Sequence, residues 1–155
     1  MVEEGSKLPD GELVMPDGAR VALAGFAGRP LVLYFYPKDD TSGCTKEAQE
    51  FSGLMDDFEA AGVVVLGVSR DPAKSKTKFI EKYALTVPLA TDEGQVSEAF
   101  GTWIEKSMYG RKYMGMDRAT FLFDAEGSCV QAWRKVKVPG HAEAVLKAAK
   151  ALAAA

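Results

Sequence analysis

Two uninterrupted apolar runs, LVLYFY at residues 31–36 and GVVVLGV at residues 62–68, limit what this chain can fold into. A strand with one wet face alternates in polarity, so a run that is apolar at every position reads as a strand covered on both faces. Between the runs, Ala48, Phe51, Leu54, Met55 and Phe58 recur at steps of three and four, which predicts a helix over about residues 42–60. Asp71-Pro72 suits a helix start, because Asp can accept from free N–H groups and Pro fits the first turn. That helix is expected to reach about Tyr83.

Weaker signals fill in the rest. Residues 12–15 and 20–22 flank Pro16-Asp17-Gly18, a turn signal, and read as an N-terminal hairpin. Residues 87–90 suggest a short strand and residues 95–100 a short helix. The Gly-, Tyr- and Met-containing stretch that follows reads as irregular up to Arg118. Residues 120–123 and 129–134 form strands around Ala125-Glu126-Gly127-Ser128, a second hairpin. A last helix starts near His141, with Val145, Leu146, Ala149 and Leu152 on its apolar face. The order β-α-β-α, hairpin, α implies an α/β class with a central mixed sheet flanked by helices, the order of the thioredoxin-like fold.

The 155 residues fit one domain, residues 1–155, and no segment reads as a linker. The net charge of −3 gives no basic field, so neither nucleic acid nor an anionic membrane is an expected partner. The cluster RKVK at residues 134–137 reads as an exposed strand face. No stretch is long and apolar enough to cross a bilayer, and the acidic, polar start lacks the pattern of a secretory signal. The cytoplasm is the expected location. Two cysteines make no disulfide scaffold there, so cysteine chemistry, if present, is catalytic.

The segment PKDDTSGC, residues 37–44, joins the first buried run to the helix and sets Cys44 in its first turn. Free N–H groups and the positive end of the helix dipole favour an anion there, and the thiolate is the nucleophilic form of cysteine. Thr41 can present a hydroxyl to the same pocket, and Gly43 permits a close approach to the backbone. These features alone leave two readings open, a reactive thiol and a small buried hydrophobe.

The segment matches the P-x-x-x-T-x-x-C signature of peroxiredoxins. The wider string LYFYPKDDTSGCTKEAQEF resembles the bacterioferritin-comigratory, or peroxiredoxin Q, branch, and the likeness continues through WIEKSMYGRKYMGMDRATFLFDAEG and VQAWRKVKVPGHAEAVL. The resemblance implies that Cys44 is the peroxidatic cysteine, that Thr41 hydrogen-bonds the peroxide and that Pro37 shields the thiolate from water. It implies that Arg118 reaches the site from a distant strand and that Glu47 orients it. It also implies a monomer that needs no metal or organic cofactor and takes its electrons from thioredoxin, glutaredoxin or a small thiol.

The chain departs from the branch in one respect. Many members carry a resolving cysteine five residues after the first; here that position is Gln49, and no cysteine lies in the helix after Asp71. Cys129 is the only other thiol and reads as a structural residue, so a one-cysteine mechanism is expected. Other signals are plainer. His141, the only histidine, reads as a surface or capping residue. Gly25-Phe26-Ala27-Gly28 lacks a phosphate-loop lysine. Trp103, Tyr109, Tyr113 and Met114 read as core, as the approach to the site or as a partner surface. The competing functions are a peroxide relay that oxidises a partner thiol and a redox-inert binding module.

Overall fold

Both apolar runs become central strands. In the computed structural model, which describes residues 1–155, they are β3 (Leu31–Phe35) and β4 (Val64–Ser69). The N-terminal hairpin, β1 (Glu12–Val14) and β2 (Arg20–Ala22), precedes them. Helices α1 (Ser42–Gly53) and α2 (Met55–Ala60) lie between them in sequence. After β4 come α3 (Ala73–Tyr83), β5 (Leu89–Thr91), α4 (Gln95–Phe100), β6 (Trp103–Met108), β7 (Arg111–Met116), β8 (Ala119–Phe123), β9 (Cys129–Trp133) and α5 (His141–Ala154).

Seven strands form one mixed sheet in the order β2-β1-β5-β4-β3-β8-β9. β3 pairs parallel with β4 and antiparallel with β8. Its side chains divide between two cores as the period of two requires. Val32, Tyr34 and Tyr36 meet Phe51, Phe58, Phe79 and Val145 under α1, α2, α3 and α5. Leu31, Leu33 and Phe35 meet Leu13, Phe100 and Phe121 on the opposite face, which α4 and the N-terminal segment cover. This double burial explains why the run carries no polar alternation.

Helix α1 is seated by Phe51, whose ring stacks on Tyr34 at 4.4 Å between centroids and 10° between planes. Such a pair adds about 0.5–1.5 kcal/mol to the burial itself. Tyr34 lies flat only because its register partner on β4 is Gly67. A Cβ on Gly67 would stand 2.5 Å from Tyr34 Cζ and 2.7 Å from Leu89 Cδ2.

Four expectations change. The helix over residues 42–60 is two helices, broken at Leu54 (φ −108°, ψ 2°) after Gly53, the weakest helix former in the stretch. Helix α3 begins at Ala73, one residue later than the Asp-Pro signal, because the Asp71 carboxylate is used elsewhere. The stretch read as irregular is a β6–β7 hairpin forming its own two-stranded sheet. It turns at Tyr109 and Gly110, both left-handed (φ 52° and 77°), the geometry of a tight two-residue hairpin turn. Its strands lack apolar alternation because most of their length packs against nothing. The RKVK cluster is not a strand face either. β9 ends at Trp133, and Arg134 turns inward to donate to the carbonyls of Val2, Phe100 and Gly101, closing the C-terminal end of α4.

Gly67→Ala is expected to lower stability by about 1–3 kcal/mol through overpacking against Tyr34 and Leu89. Urea unfolding measures this; an unchanged midpoint would mean that the Tyr34 ring is free to move aside.

Candidate active site

The β3–β8 register places Phe35 opposite Ala119, so the residue before β8 stands level with the end of β3. That residue is Arg118. Its Nη1 donates to Glu47 Oε1 at 2.7 Å and its Nη2 to Cys44 Sγ at 3.4 Å. Cys44 and Glu47 lie one turn apart on α1 and are both buried. The arginine side chain is 16% exposed and the carboxylate 1%. Neither is therefore a solvated surface side chain.

Gly43 makes the approach possible. A Cβ there would lie 3.1 Å from Arg118 Nη2, so the guanidinium rests on bare backbone. The close approach expected at Gly43 is thus made by the arginine. Thr41 caps α1 by backbone alone, with no side-chain cap bond. The N–H groups of residues 42–44 have no intrahelical acceptor by helix geometry. They remain available to an anion or an oxygen above Cys44. The Thr41 hydroxyl donates to the Lys38 carbonyl at 2.8 Å, so towards the pocket it offers lone pairs. Pro37 stands two residues beyond β3 and is exposed at the start of this loop.

Burial pushes the Glu47 carboxyl up to about 7, against the pull of Arg118. Burial alone would lower the Arg118 guanidinium, but Glu47 and Cys44 outweigh it and raise it, so it stays charged. Glu47 Oε2 has no hydrogen-bond partner.

The loop before Cys44 is held by side chains that sequence reading did not single out. Asp39 Oδ1 accepts from Tyr36 at 2.5 Å, and Oδ2 accepts from Ser75 at 2.8 Å and from Lys76 at 3.5 Å. Lys76 is fully buried and also donates to Ser69 Oγ at 2.6 Å; burial lowers its pKa while Asp39 and Asp71 oppose that. The Asp39 N–H donates to Asp71 Oδ2 at 2.6 Å. Asp40, held at φ 58°, accepts from Lys82 at 2.9 Å and from Tyr83 at 2.6 Å. Two adjacent aspartates thus tie the loop to both ends of α3. The only sequence signal was the Asp-Asp pair itself, since its partners on α3 lie 36 to 43 residues away.

His141 is not a surface residue. It is 7% exposed, packs edge-on against Phe51 and Trp133, and shares a 2.7 Å hydrogen bond with Thr120 Oγ1. Burial, helped by Arg118, lowers its pKa to about 4. Cys129 is also buried, but in the core on the opposite face of the sheet from Cys44. Its thiol donates to the Gln131 carbonyl at 3.5 Å, and burial raises its pKa. Both cysteines are free. Trp103 is half-buried under Arg70, whose guanidinium carbon is 3.6 Å from the ring centroid, while Tyr109, Tyr113 and Met114 are exposed on the hairpin.

Residues 5–132 match the model of the AhpC/TSA family. The chain is 49% identical over 140 residues to peroxiredoxin Bcp of Xanthomonas campestris, covering 90% of this chain and 88% of that protein. It is 43% identical over 150 residues to peroxiredoxin Bcp of Bacillus subtilis, covering 96% of each. A solved structure of the Xanthomonas campestris bacterioferritin comigratory protein, described for its alkyl peroxide reduction activity, superposes with a TM-score of 0.90 at 46% identity, over 97% of this chain and 99% of that one. The thioredoxin-like architecture expected from the order of elements is shared with these structures.

Arg118→Lys keeps the charge but cannot serve Glu47 and Cys44 with a planar fork. It is expected to slow Cys44 oxidation by peroxide at least about tenfold, read by rapid-quench mass spectrometry. Gly43→Ala, which displaces the same guanidinium, is expected to slow it in the same sense while sparing stability. A wild-type rate in both variants would remove the arginine from the chemistry.

Acid stability gives a separate test. The His141 pKa is depressed from 6.5 to about 4, so its contribution is present above 6.5 and lost as pH falls through 4. Glu47 is raised from 4.5 to about 7, so its contribution is present below 4.5 and lost as pH rises through 7. The two oppose each other between pH 4.5 and 6.5. His141→Phe is expected to be less stable at pH 7 by about 1–3 kcal/mol, because Thr120 loses its partner. That deficit should shrink on acidification to pH 4.5, measured by urea unfolding; a constant deficit would show that His141 does not titrate as described.

Proposed function

The chain belongs to the AhpC/TSA family, in its Bcp or peroxiredoxin Q branch, and from that premise we propose that Cys44 is the peroxidatic thiol of a one-cysteine mechanism. The protein is a thiol-dependent peroxidase, with a peroxide as substrate and a thiol as reductant. The observation that carries the assignment of the site is the Arg118 guanidinium shared between Glu47 and Cys44.

The thiolate of Cys44 attacks one oxygen of the peroxide in line with the O–O bond. Its electron pair forms the S–O bond, and the bonding pair of the O–O bond leaves with the second oxygen. That oxygen takes a proton and departs as water or an alcohol, while Cys44 becomes a sulfenic acid. Arg118 favours the charged sulfur and can donate to the oxygens. The N–H of Cys44 and the lone pairs of Thr41 can fix the direction of the O–O bond, an orientational gain. Fixed donors stabilise the charge that builds on the departing oxygen. Pro37, at the mouth of the loop, is assigned to limiting water at the sulfur. Glu47 acts through Arg118 and is a positioning residue.

Two features support resolution by an outside thiol. Gln49 occupies the site of a local resolving cysteine. Cys129 lies across the sheet from Cys44, where no modest opening of α1 would join them. Thioredoxin, glutaredoxin or a small thiol is the proposed reductant. We read the whole chain as one catalytic domain, acting as a monomer in the reducing cytoplasm where such thiols are kept available. No helix is long and apolar enough to cross a membrane.

One equivalent of hydrogen peroxide, followed by a quick quench, is expected to add one oxygen to the intact protein, mapped to Cys44. Cys44→Ser should abolish turnover and keep the fold, whereas Cys129→Ser should turn over normally. An intramolecular disulfide, seen as loss of two hydrogens, would overturn the one-cysteine mechanism. Peroxidase activity in Cys44→Ser would overturn the assignment of the site.

A further inference from the structure

Only the base of the β6–β7 hairpin joins a core, through Met116 and Trp103; beyond it the hairpin displays Met108, Tyr109, Tyr113 and Met114 to solvent, with Tyr109 98% exposed. Its base is fixed. Trp103 lies under Arg70, and the Asp117 N–H donates to the Thr102 carbonyl at 2.7 Å. Two residues beyond β7 is Arg118, which touches Cys44. The hairpin therefore rises from the rim of the active site, and six-residue strands make it about 20 Å long.

Its two faces differ. Glu105, Met114, Ser107 and Lys112 share one face, where Lys112 is 3.6 Å from Glu105 and their charges offset. The other face pairs Lys106 with Tyr113 and Met108 with Arg111. Neither Lys106 nor Arg111 has a carboxylate within salt-bridge range. Lys106 bends back to donate to the Met116 carbonyl; burial lowers its pKa, and the nearby Asp117 carboxylate opposes that. The face that carries the unpaired Arg111 and the exposed Tyr113 and Met108 thus runs from the rim of the site, with Lys106 at its inner end. In a chain of net charge −3 it is a local cationic surface.

We propose that this face docks the protein reductant, a small dithiol protein with an acidic surface around its reactive cysteine. The proposal rests on the one-cysteine reading above. A small substrate is bound in a concavity that covers most of its surface, whereas the hollow between Met108, Tyr109, Arg111 and Tyr113 is wide open to solvent. Aromatic, Met and Arg side chains are the types enriched in protein contacts, and opposite charge across a contact speeds encounter and fixes orientation. Docking beside the rim brings a thiol to the Cys44 sulfenic acid. The two condense to a mixed disulfide with loss of water. The second thiol of the partner then displaces Cys44 as a thiol and leaves the partner oxidised to a disulfide.

The test compares wild type with Tyr109→Ser/Arg111→Glu in steady-state turnover. The reductants are thioredoxin, glutaredoxin, each with its recycling system, and dithiothreitol. The variant is expected to raise KM for the preferred protein reductant by about tenfold or more, and added salt should raise the wild-type KM in the same direction. Turnover with dithiothreitol should stay unchanged. An equal loss with dithiothreitol would assign the hairpin to the peroxide site, and unchanged KM for every protein reductant would remove it from docking; either overturns the proposal. So would wild-type recycling by dithiothreitol alone, or a shift in oligomeric state on sedimentation, which would make a second copy the occupant. Failure of wild type to consume peroxide with dithiothreitol would instead count against the peroxidase reading of Cys44.

Discussion

Arg118 is charged, nearly buried and shared between a carboxylate and a sulfur on another element. Taking a carboxylate out of water costs several kcal/mol, and a single partner offsets that only in good geometry. Glu47 is burdened further, because its second oxygen has no partner. The arrangement survives because both sides are rigid. α1 is stacked on Tyr34 through Phe51, and β8 is paired along its length with β3. The strain of one buried carboxylate is therefore carried by the packing of the whole central sheet. What the molecule gains is a fixed positive charge at one sulfur.

The loop that leads to that sulfur is held in the same manner, by buried polar groups rather than by regular structure. Asp39 and Asp40 take donors from both ends of α3, and Lys76 gives up all contact with water to join them. A network so fully paired costs little once formed and much when broken. On the proposed mechanism an outside thiol must reach Cys44, which is 1% exposed, so the first turn of α1 would have to open. On that mechanism the paired loop would aim the peroxide and the helix start would admit the reductant.

The chemistry of the chain follows from what is missing as much as from what is present. On the proposed one-cysteine mechanism, with Gln49 in place of a nearby thiol and Cys129 on the far face of the sheet, the oxidised Cys44 has no partner in its own chain. A peroxidase of this kind depends on its surface to recruit one. The β6–β7 hairpin, whose outer part packs on neither core, has the position and the charge for that task.

The sequence by itself determined the buried strands, the sites of α1, α3, α4 and α5, and the thiol at the start of a helix. These are local consequences of periodicity, turn chemistry and one short motif. It also named Thr41, Glu47 and Arg118 through family resemblance, but no spacing rule joins residues 44 and 118. Only the β3–β8 register brings them together. Tertiary structure alone decided the inward turn of Arg134, the burial of His141 against Thr120, and the aspartate network. In each, a polar side chain finds its partner tens of residues away, so its local pattern looks like surface. The missed hairpin is the converse case. Its strands are stabilised by their own pairing and their tight turn while packing little on the core, and a strand wet on both faces leaves no hydrophobic period to read.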